Sequence, residues 1–273
     1  MALKIGVVGM GGIGMAHARV YKADALSNLK CVCDIVKEKA DSSASELGAK
    51  AYYSVEEMLK SEELDLVGVC TGGHENGSLH YKPVMQCLKA GKHVLCEKPI
   101  SNNVQEGRRM VAEAKRRGLY FGINLNHRFV PLIERAKAFQ KAEMGEDVFC
   151  RLSMWIGYTS AFKPADSPRV KGYPYFHVRA FLPHPLDIGR HFFGDVVKVQ
   201  AFLGQPSFRK EAGDVMLSTN SINMLFASGA VGHLVSSRDL PAGLGTGWQR
   251  WEFAGTQGRF VLDDQNDRLT LYR

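Results

Sequence analysis

Two small groups of polar residues stand where apolar segments end, and their types suit proton movement beside a redox cofactor. One is Glu97-Lys98-Pro99, which stops the apolar run Val94 to Cys96 within the stretch Lys92 to Pro99. A buried parallel strand that ends this way delivers polar groups to the open rim of its sheet, where doubly wound folds place their chemistry. The other is the pair Asp187 and His191, spaced i and i+4 and so on one face of a helix. A histidine that titrates near neutrality can take a hydroxyl proton, and Asp187 can orient it or bind a neighbouring hydroxyl. A cationic Lys98 stabilises alkoxide character as that proton leaves. Together these groups meet the needs of hydride transfer between a secondary alcohol and a nicotinamide.

The elements that must position them begin at the amino end. Leu3 to Val8 reads as a strand, followed at once by Gly9-Met10-Gly11-Gly12-Ile13-Gly14 and a helical stretch, Met15 to Ala25. In this Gly-x-Gly-x-x-Gly setting the first glycine permits a tight turn and the second lets a pyrophosphate approach the backbone. The third lets helix and strand pack closely. The next strand, Leu29 to Cys33, ends at Asp34, about twenty positions beyond the loop, where a carboxylate accepts hydrogen bonds from an adenosine ribose. That carboxylate repels a 2′-phosphate while Lys37 and Lys39 partly offset it, so NAD is favoured and NADP is possible. Asp34 can also cap the helix that follows, Val36 to Leu47.

Strand Leu64 to Thr71 places Thr71 and a glycine-rich loop, Gly72 to Ser78, beside the cofactor. His74 and Glu75 in that loop read as surface polar residues rather than as an acid and a base. Helix Leu79 to Ala90, the strand ending at Glu97, helix Val104 to Arg117 and strand Leu119 to Leu125, closing at Asn126, complete the pattern. Strands and helices alternating at this length give a parallel, doubly wound Rossmann sheet, assigned to residues 1–126.

From 127 to 273 the pattern changes to an α+β domain with a large, mostly antiparallel open sheet, assigned to substrate binding and oligomerisation. Helix Pro131 to Lys141 precedes strands at Phe149 to Tyr158, Val196 to Gly204, Leu217 to Ala227, Ala230 to Ser237, Trp248 to Gly255 and Arg259 to Leu262. In the first of these, Cys150, Leu152, Met154, Ile156 and Tyr158 share one face and Arg151, Ser153 and Trp155 the other. Trp155 and Tyr158 can stack on a sugar ring. The segment Tyr158 to Phe181 is too irregular for a strand or helix and reads as a loop over the cleft, with Lys163, Arg169, Lys171, His177 and Arg179 available to an acidic or polyhydroxylated substrate.

At this point the chain resembles the glucose-fructose oxidoreductase and inositol dehydrogenase family (Gfo/Idh/MocA) from Lys4 to its last residue. The motifs are the Gly9 to Gly14 loop, Ala90-Gly91-Lys92-His93-Val94 leading into Glu97-Lys98-Pro99, Asn126-His127-Arg128-Phe129, and Asp187-x-Gly189-x-His191. The resemblance implies that Lys98 contacts the substrate hydroxyl and the nicotinamide ribose, that Asp187 and His191 lie in the substrate pocket, and that His191 transfers the proton. Glu97 and Asn126 fall to the cofactor side and Arg128 to the substrate side. It also implies homodimers or homotetramers formed through the open sheets, and a further helix and strand beyond Arg273. An NAD-dependent glycosidase and a non-catalytic nucleotide-binding regulator share the scaffold and stand as alternatives.

The sequence departs from the family at Leu182-Pro183-His184-Pro185, where small residues usually precede the aspartate. If Pro185 opens the helix, His184 caps it and joins Asp187 and His191 on one face. That spacing also matches a metal site, but no metal is assigned, because the nucleotide fold already explains why chemistry is placed here.

Composition agrees with this reading. The 273 residues are 45% apolar, enough for two domains, and no apolar run approaches the roughly 18 residues of a membrane span. Met1 to Gly14 lacks the pattern of a signal peptide, so a cytoplasmic protein is expected. The six cysteines form no Cys-x-x-Cys pair and read as reduced, buried thiols. The net charge of +7 is scattered, the densest clusters being Arg108-Arg109 and Lys115-Arg116-Arg117, and no nucleic-acid motif accompanies it.

Overall fold

A computed structural model describes residues 2–72, 77–158, 172–241, 249–263 and 267–273. His74, Glu75, Lys163, Arg169, Lys171 and Trp248 lie outside the described residues, as does the side chain of Tyr158. The chain divides into two compact units, Met1–Asn124 and Leu125–Arg273.

The first unit alternates β1 (Leu3–Val8), α1 (Gly12–Ala23), β2 (Ser27–Cys33), α2 (Lys37–Leu47), β3 (Lys50–Tyr52), α3 (Val55–Ser61), β4 (Leu66–Val69), α4 (Tyr81–Lys89), β5 (His93–Cys96), α5 (Val104–Arg117) and β6 (Phe121–Ile123). The strands pair in parallel in the order β3-β2-β1-β4-β5-β6. Their middles are closed to water on both faces: Val7, Val8, Val67, Val69, Val94 and Cys96 are all buried, as helices on both sides of a parallel sheet require. The order reverses between β1 and β4, so the loops at their carboxyl ends part and open a crevice there.

Helix ends are fixed locally. Asn103 caps α5 by accepting from the N–H groups of Gln105 and Glu106, and Gly118 closes it at φ +67°. β3 and α3 were not anticipated, although Ser54-x-x-Glu57 carried the signal: the Ser54 hydroxyl accepts from the Glu57 N–H, 3.1 Å.

The second unit opens with a 3-10 turn, Asn126–Phe129, then α6 (Pro131–Glu143), β7 (Asp147–Tyr158), α7 (Phe176–Phe181), α8 (Pro183–Phe193), β8 (Val196–Gly204), α9 (Ser207–Glu211), β9 (Thr219–Phe226), β10 (Val231–Pro241), β11 (Gln249–Gly255), β12 (Arg259–Asp263) and β13 (Arg268–Tyr272). The sheet runs β13-β12-β11-β7-β10-β9-β8, antiparallel except at the central β7–β10 pair. Cys150, Leu152, Phe226, Leu234, Trp251 and Phe253 of one sheet face pack with Ile133, Ala136 and Phe139 of α6 and Ile188, Phe192 and Phe193 of α8. Burial of each such large side chain contributes about 1.5–3 kcal/mol, which fixes α8 to the sheet more firmly than its own propensities would.

Two expectations are corrected here. The stretch read as irregular up to Phe181 contains the helix α7. It forms because tertiary contacts hold it: the Arg238 guanidinium lies over the rings of Phe176 and Phe181 at 5.6 and 5.1 Å, and His177 is fully buried with Nε2 2.8 Å from Ser236 Oγ. Further along, α8 opens at Pro183 after Leu182, not at Pro185, so His184 lies in its first turn and does not cap it. First-turn N–H groups have no partner inside a helix, so both prolines fit there at little cost. Helix α9 was also missed; it is anchored by the buried Arg209, which bonds Asp214 and, at 2.7 Å, Asp239.

Among the described residues no helix is long and apolar enough to cross a membrane. All six cysteines are free, and five are fully buried.

Candidate active site

The glycine loop between β1 and α1 is shaped by backbone contacts that admit no side chain at two of its positions. Gly9 has φ +91°, and a Cβ there would stand 2.8 Å from the backbone of Cys70 and Thr71. At Gly14 a Cβ would fall 1.8 Å from the Gly9 carbonyl oxygen. Gly11 and Gly12 differ, since a Cβ on either meets nothing within 4 Å. The first turn of α1 carries no acidic residue, and no side chain caps it. Open space over bare N–H groups at a helix start suits an anionic diphosphate. Met10 is buried and Ile13 exposed, so of the loop's two non-glycine residues only Ile13 presents its side chain outward.

Asp34 ties this loop to the next turn. One carboxylate oxygen accepts from the Met10 N–H at 2.7 Å and the other from the Val36 N–H at 2.9 Å. The helix cap considered for it is therefore a local turn, and α2 begins after Val36. Thr71 donates through its hydroxyl to the Leu79 carbonyl, 2.9 Å.

Glu97 and Lys98 follow β5 at the same rim. Glu97 is 8% exposed and is held from two sides: His17 Nε2 on α1 lies 2.8 Å, and Asn124 Nδ2 just past β6 lies 2.6 Å, from the same oxygen, Oε1. The Lys98 N–H donates to Oε2 at 3.2 Å. Burial pushes the Glu97 carboxyl up, but the bonds from His17 and Asn124 and the charge of Lys98 outweigh it and hold the group at about 2. For Lys98 burial lowers the ammonium below its usual range, and the Glu97 charge opposes that. His80 Nδ1 is 2.8 Å from the Pro99 carbonyl and steadies the loop from behind.

In the second unit α8 faces the 3-10 turn. Asp187, 8% exposed, receives both Nε, at 2.5 Å, and one terminal nitrogen of Arg128, a two-point ion pair. The His184 ring meets His127 edge-on at 4.5 Å, and His127 in turn meets Trp251 at 5.4 Å. His191, one turn beyond Asp187, is half-buried. Burial lowers its pKa first, and the charges of Lys137 and Arg128 lower it further against the pull of Asp187. Lys137 reaches it through the backbone, donating to the His191 carbonyl at 2.8 Å and to Gln140 Oε1 at 2.7 Å. At neutral pH this imidazole is uncharged and able to accept a proton.

Within the first unit the structure therefore groups Gly9 to Gly14 with Asp34 and Thr71 along the carboxyl ends of β1, β2 and β4, and Glu97 with Lys98 at the end of β5. Asn126 is not among them; it opens the 3-10 turn of the second unit, and it is Asn124 that reaches Glu97. In the second unit Arg128, His184, Asp187 and His191 are brought together around α8. Trp155 is not: by the alternation of β7 it shares the face of Arg151 and Ser153, whereas α8 packs on the face of Leu152. Among the described residues no three His, Cys, Asp or Glu side chains are placed to hold a metal ion. His17, Asn124 and Lys137 were missed in the sequence, because no local spacing connects them to the distant groups they bond.

A family model described as an oxidoreductase family with an NAD-binding Rossmann fold matches residues 3–125, and one for the GFO/IDH/MocA C-terminal domain matches residues 162–261. The chain is also 30% identical, over 274 residues, to the myo-inositol 2-dehydrogenase of Thermotoga maritima, an alignment covering 98% of this chain and 78% of that one. The chain belongs to the Gfo/Idh/MocA oxidoreductase family.

Solved members have the same fold. An NAD binding oxidoreductase from Klebsiella pneumoniae is 26% identical with a TM-score of 0.82, covering all of this chain and 76% of that one. A protein of gentamicin A biosynthesis, solved in complex with NAD, is 25% identical with a TM-score of 0.79, covering 96% of this chain and 72% of that one. This Gfo/Idh/MocA chain is an NAD-binding oxidoreductase, with a Rossmann sheet in its first unit and an open, mostly antiparallel sheet in its second.

Proposed function

We propose that this protein is a dehydrogenase that transfers hydride between NAD and the carbinol carbon of a sugar, an inositol or a related polyol. The observation that carries this reading is its likeness over nearly the whole chain to a protein named for oxidising myo-inositol, in a sequence that carries Lys98, Asp187 and His191. NAD supplies the hydride acceptor.

This chain's residues supply the rest. Gly9, Met10, Gly11, Gly12, Ile13 and Gly14 receive the diphosphate at the start of α1; Asp34 receives the adenosine ribose; Thr71, Glu97 and Asn126 belong to the cofactor side. His191, uncharged at neutral pH, accepts the proton of the reacting hydroxyl. Asp187, with both oxygens engaged by Arg128, offers a fixed negative group to orient the imidazole or a neighbouring hydroxyl. Lys98 binds the reacting oxygen and stabilises the charge that builds as the proton leaves. His184 borders the same helix face and Trp155 is assigned no contact. The Asp34 carboxylate favours NAD over NADP.

Residues 1–126 are read as the dinucleotide domain and 127–273 as the substrate and oligomerisation domain, a boundary two residues past the break between the two compact units. Phe202 of β8 and Val231 of β10, exposed on the sheet face away from the core residues Met224 and Phe226, support a homodimer or homotetramer built through that sheet, and the cytoplasm is the expected setting. The reading is tested by offering sugars, inositols and sugar acids with NAD and NADP separately while following the absorbance of the reduced nicotinamide. Turnover of at least one polyol with NAD supports it; release of a sugar from a glycoside with no net reduced nicotinamide places the protein among NAD-dependent glycosidases instead.

A further inference from the structure

The role given to Lys98 leaves a physical question: what holds the loop that carries it at the end of β5. The answer lies on its neighbour. Three donors converge on the Glu97 carboxylate: His17 Nε2 at 2.8 Å, Asn124 Nδ2 at 2.6 Å and the Lys98 N–H at 3.2 Å. They come from α1, from the end of β6 and from the loop itself, so one side chain joins three elements around the rim. A carboxylate only accepts, so His17 donates to it from Nε2. His17 lies one turn beyond Gly14, on the helix whose first residues face the dinucleotide.

We propose that His17 is a positioning residue of this enzyme: with Asn124 it clamps Glu97, and the clamped glutamate holds Lys98 in place and serves as its counter-charge. The inference rests on the catalytic reading of Lys98 and extends it by one layer. Its geometry has few competitors. Among the described residues, the titratable groups facing Glu97 are His17 and Tyr21 of α1, Cys70 after β4, Cys96 and Lys98 of the β5 end, and His80 before α4. Burial pushes Tyr21 and Cys70 up to about 12 and raises Cys96, so all three stay neutral. Burial also lowers His80, and the Glu97 charge acts on Lys98 from the adjacent position. A glutamate released from His17 would swing or take up a proton, and Lys98 would lose its counter-charge.

The test needs neither substrate nor turnover. Lysines are reductively methylated with 13C and each signal is titrated by NMR, the Lys98 signal being identified by its loss in Lys98→Arg. Expected is a fall of the Lys98 midpoint by about one unit or more in Glu97→Gln and in His17→Leu, with recovery in His17→Gln, whose amide reproduces the Nε2 donor. His17→Asn, whose shorter amide falls short of Glu97, should behave like His17→Leu and replaces it if that variant does not fold. An unchanged midpoint in the folded variants overturns the proposal, and a fall in Glu97→Gln without one in the His17 variants overturns the assignment of His17. If instead the titration behaves as stated while Lys98→Ala turns over polyols at the native rate, the catalytic reading fails and the clamp stands.

Discussion

Arg128 and Asp187 meet as a two-point ion pair within the second unit, joining the 3-10 turn Asn126–Phe129 to α8 through Nε at 2.5 Å and a second, parallel contact. The aspartate is nearly buried while the guanidinium is 37% exposed. Removing one partner of a buried pair strands the other, at about 3–5 kcal/mol; the exposure of Arg128 scales this to about 1–2 kcal/mol for Arg128→Leu. A thermal melt should therefore fall by several degrees, about 2–4 °C per kcal/mol for a protein of this size. Asp187→Asn should cost less stability but lower kcat about tenfold or more, because the negative group beside His191 is lost. Equal kcat in wild type and Asp187→Asn, once a substrate is in hand, would remove Asp187 from the site.

Gly11 and Gly14 should respond differently to the same added methyl group. Gly14→Ala drives a Cβ to 1.8 Å from the Gly9 carbonyl and must shift α1 against β1, lowering the melting temperature along with NAD affinity. Gly11→Ala meets nothing within 4 Å and has a backbone any residue adopts, at φ −76° and ψ −173°. Its melting curve should match wild type while NAD affinity, by calorimetry, falls about tenfold or more where the diphosphate approaches. Unchanged NAD binding by Gly11→Ala would place the cofactor elsewhere.

Acid should weaken the protein in two separable windows. His177 is buried and neutral, with burial taking it down to about 4. The unfolded chain binds that proton first, near 6.5, so the stability contributed by neutral His177 is complete above about pH 6.5 and is lost as pH falls toward 4. Glu97 is held at about 2 against an ordinary value near 4.5, so its contribution, about 3 kcal/mol, is complete above 4.5 and is lost between 4.5 and 2. Denaturant melts across pH should show His177→Gln flattening the upper window and Glu97→Gln the lower. The opposite assignment, or no change in either slope, contradicts the burial and bonding described for these groups.

Much of this was legible in the sequence because the relevant signals are local. The Gly9 to Gly14 loop sits between a strand and a helix, α5 and β8 have the bounds that their caps and alternation predict, and Cys150, Leu152 and Met154 are buried together as a period of two requires. What escaped is carried by distant partners. The helix α7 depends on Arg238 stacking from β10, α9 on Asp239 from the same strand, and the His17–Glu97 contact spans residues that no spacing rule connects. The start of α8 was misplaced for a different reason: Pro183 and Pro185 both suit a first turn, and the burial of Leu182, a tertiary fact, decides between them.

Catalytic variants should separate binding from chemistry. Lys98→Ala and His191→Ala are expected to lower kcat by about a hundredfold or more while NAD binding remains measurable by calorimetry. Lys137→Met removes a charge that lowers His191, so the acid limb of kcat/KM for alcohol oxidation should move to higher pH than in wild type. An acid limb that stays in place would mean that His191 is not the proton acceptor.

The central claim is that hydride passes from a carbinol carbon to NAD. It is tested most directly by giving the enzyme a polyol from the turnover screen that carries deuterium at the reacting carbon and examining the reduced nicotinamide by mass spectrometry. The account predicts one deuterium per reduced nicotinamide and a slower rate than with the unlabelled polyol; reduced nicotinamide free of the label would contradict it.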